Sequence, residues 1–399
     1  MLSATNFLAV FDGLVVTVAL PALQQDLHIS QLDAQWLLTG YALPLTGLLL
    51  FGGRCGDRFG RRQVLAAGLS LCTAGLLLAG PASTLWLIVT ARVLQGAGAA
   101  LAVPNSFAAI SAMPDPRRRN WLFSAVAVAG GLGAAGGAVV GGLITQGLGW
   151  RYVFLLTVPV AALAAMAAAK SLDTQKPAER PARLNATSAV LSVAGLMLLV
   201  FSITSVERSG PTAPSTLISL AASVAALAGC WAHERRSSAR LVRPQLLRGR
   251  QFRTAVIGTP SQVLAYDGMV FICLLYLQHV RGYDPLAAGL AFSPLGLAVL
   301  LGYVAAGKSV APADQGAAYG LYETSKYLFT AVAVAALATI SAARIRAEAD
   351  PPTSAAYAAG YQLTFAIAAI GALTGGLLTK FLGRHIRKDT GRASERAKV

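Results

Sequence analysis

The chain of 399 residues is 55% hydrophobic and 13% charged, with a mean hydropathy of +0.59, whereas soluble domains contain about 25% charged residues. This composition predicts a polytopic membrane protein and excludes an ordinary soluble domain. The net charge of +16 does not indicate nucleic-acid binding, because the basic residues lie in short segments between apolar runs and not along one face. No nucleic-acid partner is therefore expected.

Apolar runs of about 20 residues, the length that crosses a bilayer as a helix, recur along the whole chain. Twelve spans are predicted, at 4–23, 33–53, 63–82, 85–112, 121–147, 151–169, 187–206, 214–233, 254–278, 285–307, 317–341 and 355–380. With the N-terminus inside, 26 Lys and Arg fall in cytosolic segments and five in outer segments, which agrees with the positive-inside rule. We therefore expect an all-α, multi-pass protein of the cytoplasmic membrane with both termini cytosolic.

Two polar stretches, Lys170 to Leu184 and His233 to Arg253, divide the chain and bracket an extra pair of spans. The division predicts two main helical bundles. The expected parts are an N-terminal six-helix bundle at 1–170, a linker with two extra transmembrane helices at 171–253, a reduced C-terminal bundle of about four helices at 254–384, and a basic cytosolic tail at 385–399.

The first span contains one carboxylate, Asp12, roughly 12 Å along the helix. An ionised carboxylate in a span costs about 3 kcal/mol even on insertion scales, so Asp12 is expected to face a polar cavity or to be protonated part of the time. A proton and an approaching cation compete for such a group, which is the physical basis of antiport. The alternative is that Asp12 lies close enough to the membrane surface to stay solvated.

A charged segment joins the second and third spans. Its candidate gate residues are Gly53, Asp57, Arg58, Gly60, Arg61 and Arg62. The glycines allow an abrupt turn, the arginines hold the segment on the cytosolic side, and Asp57 can pair with a cation or a helix N-terminus across a domain interface. The pattern resembles the signature loop of the major facilitator superfamily of secondary transporters. The alternative is a basic loop that only sets the topology.

The fourth span contains Arg92, with Gln95 one turn later. A guanidinium keeps its charge, so Arg92 needs an acidic or carbonyl partner, and Asp12 and Asp57 are the candidates. The sequence fits two interpretations, a proton-coupling role for Asp12 and Arg92 or a structural salt bridge without a transport role. Gln95 is a candidate for the substrate cavity.

The fifth span contains Gly133, Gly137 and Gly141 at four-residue spacing, followed by Gly142. These glycines predict a smooth helix face that another backbone can approach closely. Such a face suits either a helix that moves against its neighbour or static packing.

Further segments extend the resemblance along nearly the whole chain. They are Trp150–Phe154 with Pro159, Tyr276–Gln278, Gly282–Pro285, Gly289 and Pro294. Together with the extra pair of spans, they resemble the fourteen-span drug:proton antiporter branch of the superfamily. The resemblance implies a two-bundle exporter driven by the proton gradient, with Asp12 as the first-helix acid, Arg92 as the fourth-helix arginine and Asp57 as the gate acid.

The chain departs from this branch in two places. From Gly137 to Gly142 it lacks the proline of the family's fifth helix, which would soften that helix. Between Tyr303 and Ala313, about two spans and the second copy of the signature loop are missing relative to the family. The C-terminal bundle is therefore expected to be incomplete.

Two acidic residues of the second half are further candidates for the substrate cavity. Asp267, in the ninth span, has no obvious local partner and is the better candidate for contact with a cationic substrate. Glu323 forms an i,i+3 pair with Lys326, which favours mutual neutralisation over substrate binding.

The four cysteines are isolated, with no histidine at metal-ligand spacing, so neither a disulfide framework nor a metal site is expected. No P-loop or pair of nucleophile and base is recognisable, so the protein is not expected to be an enzyme. No cofactor is expected, and the proton gradient is the expected energy source.

The leading hypothesis is proton-coupled efflux of amphipathic, cationic drugs or antibiotics, with a small-molecule substrate and the lipid bilayer as partners. The alternative is a degenerate, non-transporting membrane protein that binds a ligand or a partner subunit. The sequence leaves the substrate and the oligomeric state open.

Overall fold

In a computed structural model, residues 2–171, 185–237, 259–261, 263–264, 268–292, 294, 315–348 and 353–396 are described. This part of the chain is helical and contains no β-strand. Its helices are α1 Leu2–Leu27, α2 Gln31–Phe59, α3 Arg61–Ala79, α4 Leu85–Ser111, α5 Pro116–Gly147, α6 Arg151–Leu155, α7 Val158–Ser171, α8 Ala186–Ser209, α9 Pro214–Arg236, α10 Met269–His279, α11 Gln315–Glu348 and α12 Ser354–Arg396. A further helical segment covers 285–292.

Polar side chains set where several helices begin. The side-chain oxygens of the capping residues accept backbone N–H groups that the first turn leaves without partners. These residues are Ser30 before α2, Thr84 before α4, Asp115 before α5 and Asn185 before α8.

The predicted spans coincide with helices in the part of the chain that the structure describes. Nine of the described helical segments, with Arg151–Lys170 counted as one, are long and apolar enough to cross a membrane, which confirms the all-α, multi-pass architecture. The predicted spans 254–278 and 285–307 are described only in part, by α10 and by the helical segment 285–292. The total of twelve spans and the division into four parts stay predictions.

The predicted span 151–169 is not one continuous helix. It is divided into α6 and α7 around Leu156 and Thr157. Pro159, in the first turn of α7, has no N–H group and cannot donate to the carbonyl of Leu155 four residues earlier. The missing backbone hydrogen bond accounts for the break.

Helices α1 to α7 form an N-terminal half in which α4 packs against α2 and α3, and α1 packs against α5. Helices α8 and α9 pair with each other, and α8 lies on α2, where the Ser192 hydroxyl donates to the Gly47 carbonyl at 3.0 Å. Helices α10 to α12, with the segment 285–292, form the described C-terminal half. Its most extensive contact with the N-terminal half is between α11 and α2.

The described residues form different buried cores at the two ends of the molecule. We call them the α1–α2 end, which the charge asymmetry predicts to be outside, and the α2–α3 end. A core near the α1–α2 end contains side chains from both halves, among them Phe11, Leu20, Leu37, Phe271, Leu275, Leu337 and Tyr361. A second core near the α2–α3 end draws, among the described residues, only on the N-terminal half, for example on Leu45, Leu69 and Phe107.

Candidate functional site

A buried charge pair lies inside the N-terminal half. Asp12 of α1 is 5% exposed, and Arg92 of α4 is fully buried. Arg92 Nη1 donates to Asp12 Oδ2 at 2.5 Å. Gln95 joins them, because its Nε2 donates to Asp12 Oδ1 and its Oε1 accepts from Arg92 Nη1, both at 2.7 Å. Asp12 is therefore the acidic partner of Arg92, and both of its carboxylate oxygens accept hydrogen bonds.

Arg92 has two further contacts, both with α2. Its Nε donates to the carbonyl of Leu37 at 2.8 Å. Its guanidinium carbon lies 4.6 Å from the centre of the Tyr41 ring, a cation–π distance. Its Nη2 is buried, and no described residue forms a hydrogen bond with it. Arg92 is thus held in part by groups other than Asp12, and its charge retains these contacts when Asp12 becomes neutral.

Glycines bring the helix backbones together around Arg92. A Cβ atom at Gly96 of α4 would lie 2.2 Å from the carbonyl oxygen of Tyr41, and one at Gly75 of α3 would lie 2.7 Å from that of Ala91. Only glycine permits such close approach of α4 to α2 and α3. The close packing lets the Arg92 side chain cross from α4 to Asp12 on α1.

A small cavity adjoins Asp12. Its walls come from α1, α2, α3, α4 and the segment 157–161. The polar residues that line it include Thr5, Asp12, Tyr41, Gln95 and Thr157. The carboxylate is therefore next to a space inside the N-terminal half, and not next to a lipid-facing surface.

The segment predicted as a turn from Gly53 onward is mostly helical, so that prediction was wrong about its extent. Helix α2 continues to Phe59, and the direction changes at Gly60, whose φ of 94° favours glycine. Gly56 serves packing, because a Cβ atom there would lie 1.6 Å from Oδ1 of Asn105 on α4. Close contact with α4 thus explains why a glycine occurs in this part of a helix.

The charged side chains of this segment contact the N-terminal half. Arg61 forms an ion pair with Asp57 at 3.6 Å, and its Nη1 donates to the Ala108 carbonyl of α4 at 2.7 Å. Arg62 donates to the Ala169 carbonyl of α7. Both carbonyls lie near helix C-termini, where cations are favourable.

The third arginine of the segment has an aromatic neighbour. The guanidinium carbon of Arg58 lies 5.5 Å from the centre of the Phe59 ring. A gate role for these residues stays a prediction.

The glycines of α5 contact two different neighbours. Cβ atoms at Gly133, Gly137 and Gly141 would lie 2.9, 3.1 and 2.9 Å from backbone atoms of Phe7, Phe11 and Val15 on α1. Gly142 lies on another face, where a Cβ atom would be 2.3 Å from the Pro285 carbonyl oxygen. Because consecutive helical residues are separated by about 100°, Gly142 does not share the face of the other three. It contacts the C-terminal half instead.

Beside Gly142, a glycine of the C-terminal half lies close to the backbone of α5. A Cβ atom at Gly289 would be 2.1 Å from the Ala138 carbonyl oxygen of α5. Gln278 at the end of α10 also donates to the Val18 carbonyl of α1 at 3.2 Å. These contacts bring the two halves together near the α1–α2 end.

The structure does not place every candidate. Asp267 lies outside the described residues, and Glu323 lies in α11 with its side chain outside the described part.

The sequence did not indicate Tyr41 and the Leu37 carbonyl as partners of Arg92. No local motif indicates them, because the contact depends on how α2 packs against α4. Among the described residues, no group of His, Cys, Asp or Glu could hold a metal ion.

The chain is similar to known antibiotic resistance and export proteins. It is 35% identical over 304 residues to the puromycin resistance protein pur8 of Streptomyces alboniger, covering 75% of this chain and 59% of that protein. It is 36% identical over 304 residues to the cephamycin export protein CmcT of Amycolatopsis lactamdurans, covering 74% and 62%. The lincomycin resistance protein of Streptomyces lincolnensis is 34% identical, with 76% and 63% covered. The chain thus spans 59% to 63% of the length of these relatives.

Solved structures support the same fold. An auto-inhibited peptide transporter of the POT family gives a TM-score of 0.58 at 14% identity, with 96% of each chain covered. A D-xylose–proton symporter gives 0.52 at 17% identity, with 95% of each chain covered. The sequence model of the Major Facilitator Superfamily matches residues 2–345. The chain therefore belongs to the Major Facilitator Superfamily.

Proposed function

We propose that this protein exports amphipathic, cationic drugs or antibiotics across the cytoplasmic membrane in exchange for protons. The resistance and export proteins to which it is similar support small-molecule efflux. The observation that carries the proton-coupled part is the buried triangle of Asp12, Arg92 and Gln95. The excess of Lys and Arg in alternate segments supports cytosolic N- and C-termini.

The proposed cycle requires both protonation states of Asp12, and Arg92 has contacts for each of them. When Asp12 is ionised, Arg92 and Gln95 neutralise and solvate the carboxylate in place of water. When Asp12 is protonated, the ion pair is lost, but Arg92 retains the Leu37 carbonyl and the Tyr41 ring. In the proposed cycle, a proton and a cationic substrate compete for this carboxylate. Inward protons neutralise Asp12 as the substrate leaves outward.

Transport in this scheme follows from alternating access of the two halves. The substrate binds near the midplane between them, where transporters of this architecture build their cavities. Gln95 contributes to this site through Asp12, with which it is hydrogen-bonded. Asp267 and Glu323 stay candidate contacts for the cationic part of the substrate.

The direct test is the substitution Asp12→Asn, which keeps the shape of the side chain and removes its charge. We expect pH-gradient-driven transport of ethidium in inverted vesicles to fall by at least about tenfold, because Asp12 can no longer exchange a proton. Expression and folding are checked by size-exclusion chromatography of the detergent-solubilised protein. Full coupled transport by the variant contradicts the assignment. Ethidium binding without flux in the wild-type protein identifies a non-transporting binder instead.

Asp26→Asn is the matched control. Asp26 lies on the same helix and also pairs with an arginine, since Arg151 Nη1 donates to its Oδ2 at 2.8 Å. This pair is solvent-exposed at the α1–α2 end, with side chains 39% and 47% exposed. Exposed pairs contribute little, so ethidium flux should stay at the wild-type level.

A further inference from the structure

The cavity beside Asp12 has the size of a water site. The volume open to water centres is about 20 Å³, and one water molecule needs about 10–15 Å³ by this measure. Asp12, Gln95 and Tyr41 supply polar groups at its wall. A buried water requires two to four polar partners, which these groups can provide. The space is large enough for water and too small for a drug.

The cavity follows one face of α1 away from Asp12. Thr5, Leu8 and Ala9 line it with Asp12, and their spacing places them on the same side of the helix. From Asp12 to Thr5 the axial distance is about 10 Å. Because α1 begins at the α2–α3 end, the cavity extends toward the end that the charge asymmetry predicts to be cytosolic.

The opposite wall runs in the same direction. Gln95, Ala99 and Val103 of α4 line the cavity at four-residue spacing, which places them along one face. Every residue that lines the cavity belongs to the N-terminal half. A water molecule there contacts Asp12 without entering the surface between the two halves.

Resting on the proposed proton coupling, we propose that this cavity is the proton-exchange site of Asp12. The Asp12 carboxyl group transfers its proton to a water molecule in this cavity, which leaves a carboxylate and a hydronium ion. The hydronium ion passes the proton to the next water on the side of Thr5. The substrate moves between the two halves, so proton and substrate leave the centre by separate routes.

Ala9→Val tests the site by filling it. Ala9 is a buried wall residue one turn from Asp12. The added methyl groups displace the water but leave the Asp12, Arg92 and Gln95 side chains unchanged. We expect ethidium affinity within about twofold of the wild-type value. Ethidium-induced proton release, followed with a pH-indicator dye in weakly buffered detergent solution, should be slowed by about tenfold or more.

Two further variants make the test specific. Ala4→Val makes the same change in α1 at a partly buried position that does not line the cavity, so its proton-release rate should match the wild type. Thr5→Val keeps the side-chain volume and removes the hydroxyl at the far end of the cavity. It should slow proton release while ethidium binding is kept, and it decides the question if Ala9→Val does not fold.

Wild-type rates in folded Ala9→Val, or in Thr5→Val where Ala9→Val does not fold, overturn the proposed water site and leave proton coupling intact. A wild-type protein that binds ethidium without releasing protons overturns the proposed function itself. The two failures are therefore distinguishable in one set of measurements.

Discussion

Among the described residues, the two ends of the molecule differ in which helices form the buried core. At the α1–α2 end, one buried core joins the halves, with Phe11 and Leu37 from one and Leu275 and Tyr361 from the other. At the α2–α3 end, the core of the described residues comes from the N-terminal half alone. There, Arg61 ties the turn between α2 and α3 to α4. The comparison indicates a conformation closed at the end predicted to be outside.

A substitution at the glycine contact between the halves should have the largest effect on how often the α1–α2 end opens. In Gly142→Leu, a side chain must fit where a Cβ atom would already lie 2.3 Å from the Pro285 carbonyl oxygen. Overpacking of this kind costs about 1–3 kcal/mol, and each 1.4 kcal/mol changes an equilibrium about tenfold. The α1–α2 end should open more often.

Cys273 of α10 can report the opening, since it is partly buried against a cluster that contains Val18 and Ala138 of the N-terminal half. In a background with the other three cysteines changed to serine, Gly142→Leu should raise the rate of maleimide labelling about tenfold. Gly136→Leu is the control, because a Cβ atom at Gly136 has nothing within 4 Å. Equal labelling in both variants would contradict the contact between the halves.

A substitution at Gln35 is expected to make the α1–α2 end open less often. Gln35, Thr39 and Ala42 lie on one face of α2 by their spacing, and Ala42 shares a buried cluster with Ala335 of α11. Gln35 is fully buried, and neither polar atom of its amide has a hydrogen-bond partner among the described residues. Unpaired buried groups cost about 1–3 kcal/mol. The closed end carries this cost, and opening it would let water bind the amide.

Gln35→Leu removes the unpaired amide and should stabilise the closed end. We expect Cys273 labelling to be slowed by about three- to tenfold. Thr39→Val is the matched control on the same face, because the Thr39 hydroxyl already donates to the Gln35 carbonyl within α2, at 3.1 Å. Faster labelling in Gln35→Leu than in Thr39→Val would show that the amide does not destabilise this contact.

The smallest effect is expected at the α2–α3 end. Arg61→Gln weakens the contact with the Ala108 carbonyl and with Asp57, both within the N-terminal half. Cations at helix C-termini contribute about 0.3–1 kcal/mol. The apparent melting temperature in detergent should fall by about 1–2 °C, and Cys273 labelling should not change. A large change in labelling would mean that this end also joins the halves. Exposed Arg117→Gln provides the stability control.

The helices and the candidate charge pair could be predicted from the sequence because the membrane makes them conspicuous. A span requires about 20 apolar residues, so Asp12 and Arg92 stand out inside two of them. The sequence did not decide whether Arg92 pairs with Asp12 or with Asp57. The choice depends on packing between α1 and α4.

Features that depend on three-dimensional contact could not be predicted. Gly56 lies inside α2, in the segment that the sequence predicts as a turn, and the close approach of α4 accounts for the glycine there. Gly142 follows three regularly spaced glycines but contacts the other half of the molecule. Tyr41 has no motif that associates it with Arg92. In each case the deciding neighbour is distant in the chain.

The central claim is that a proton and a cationic substrate compete for Asp12. The most direct measurement is proton release when ethidium is added to the purified protein in weakly buffered detergent solution. The account predicts proton release on ethidium binding from the wild-type protein and none from Asp12→Asn. Equal release from both proteins would contradict it.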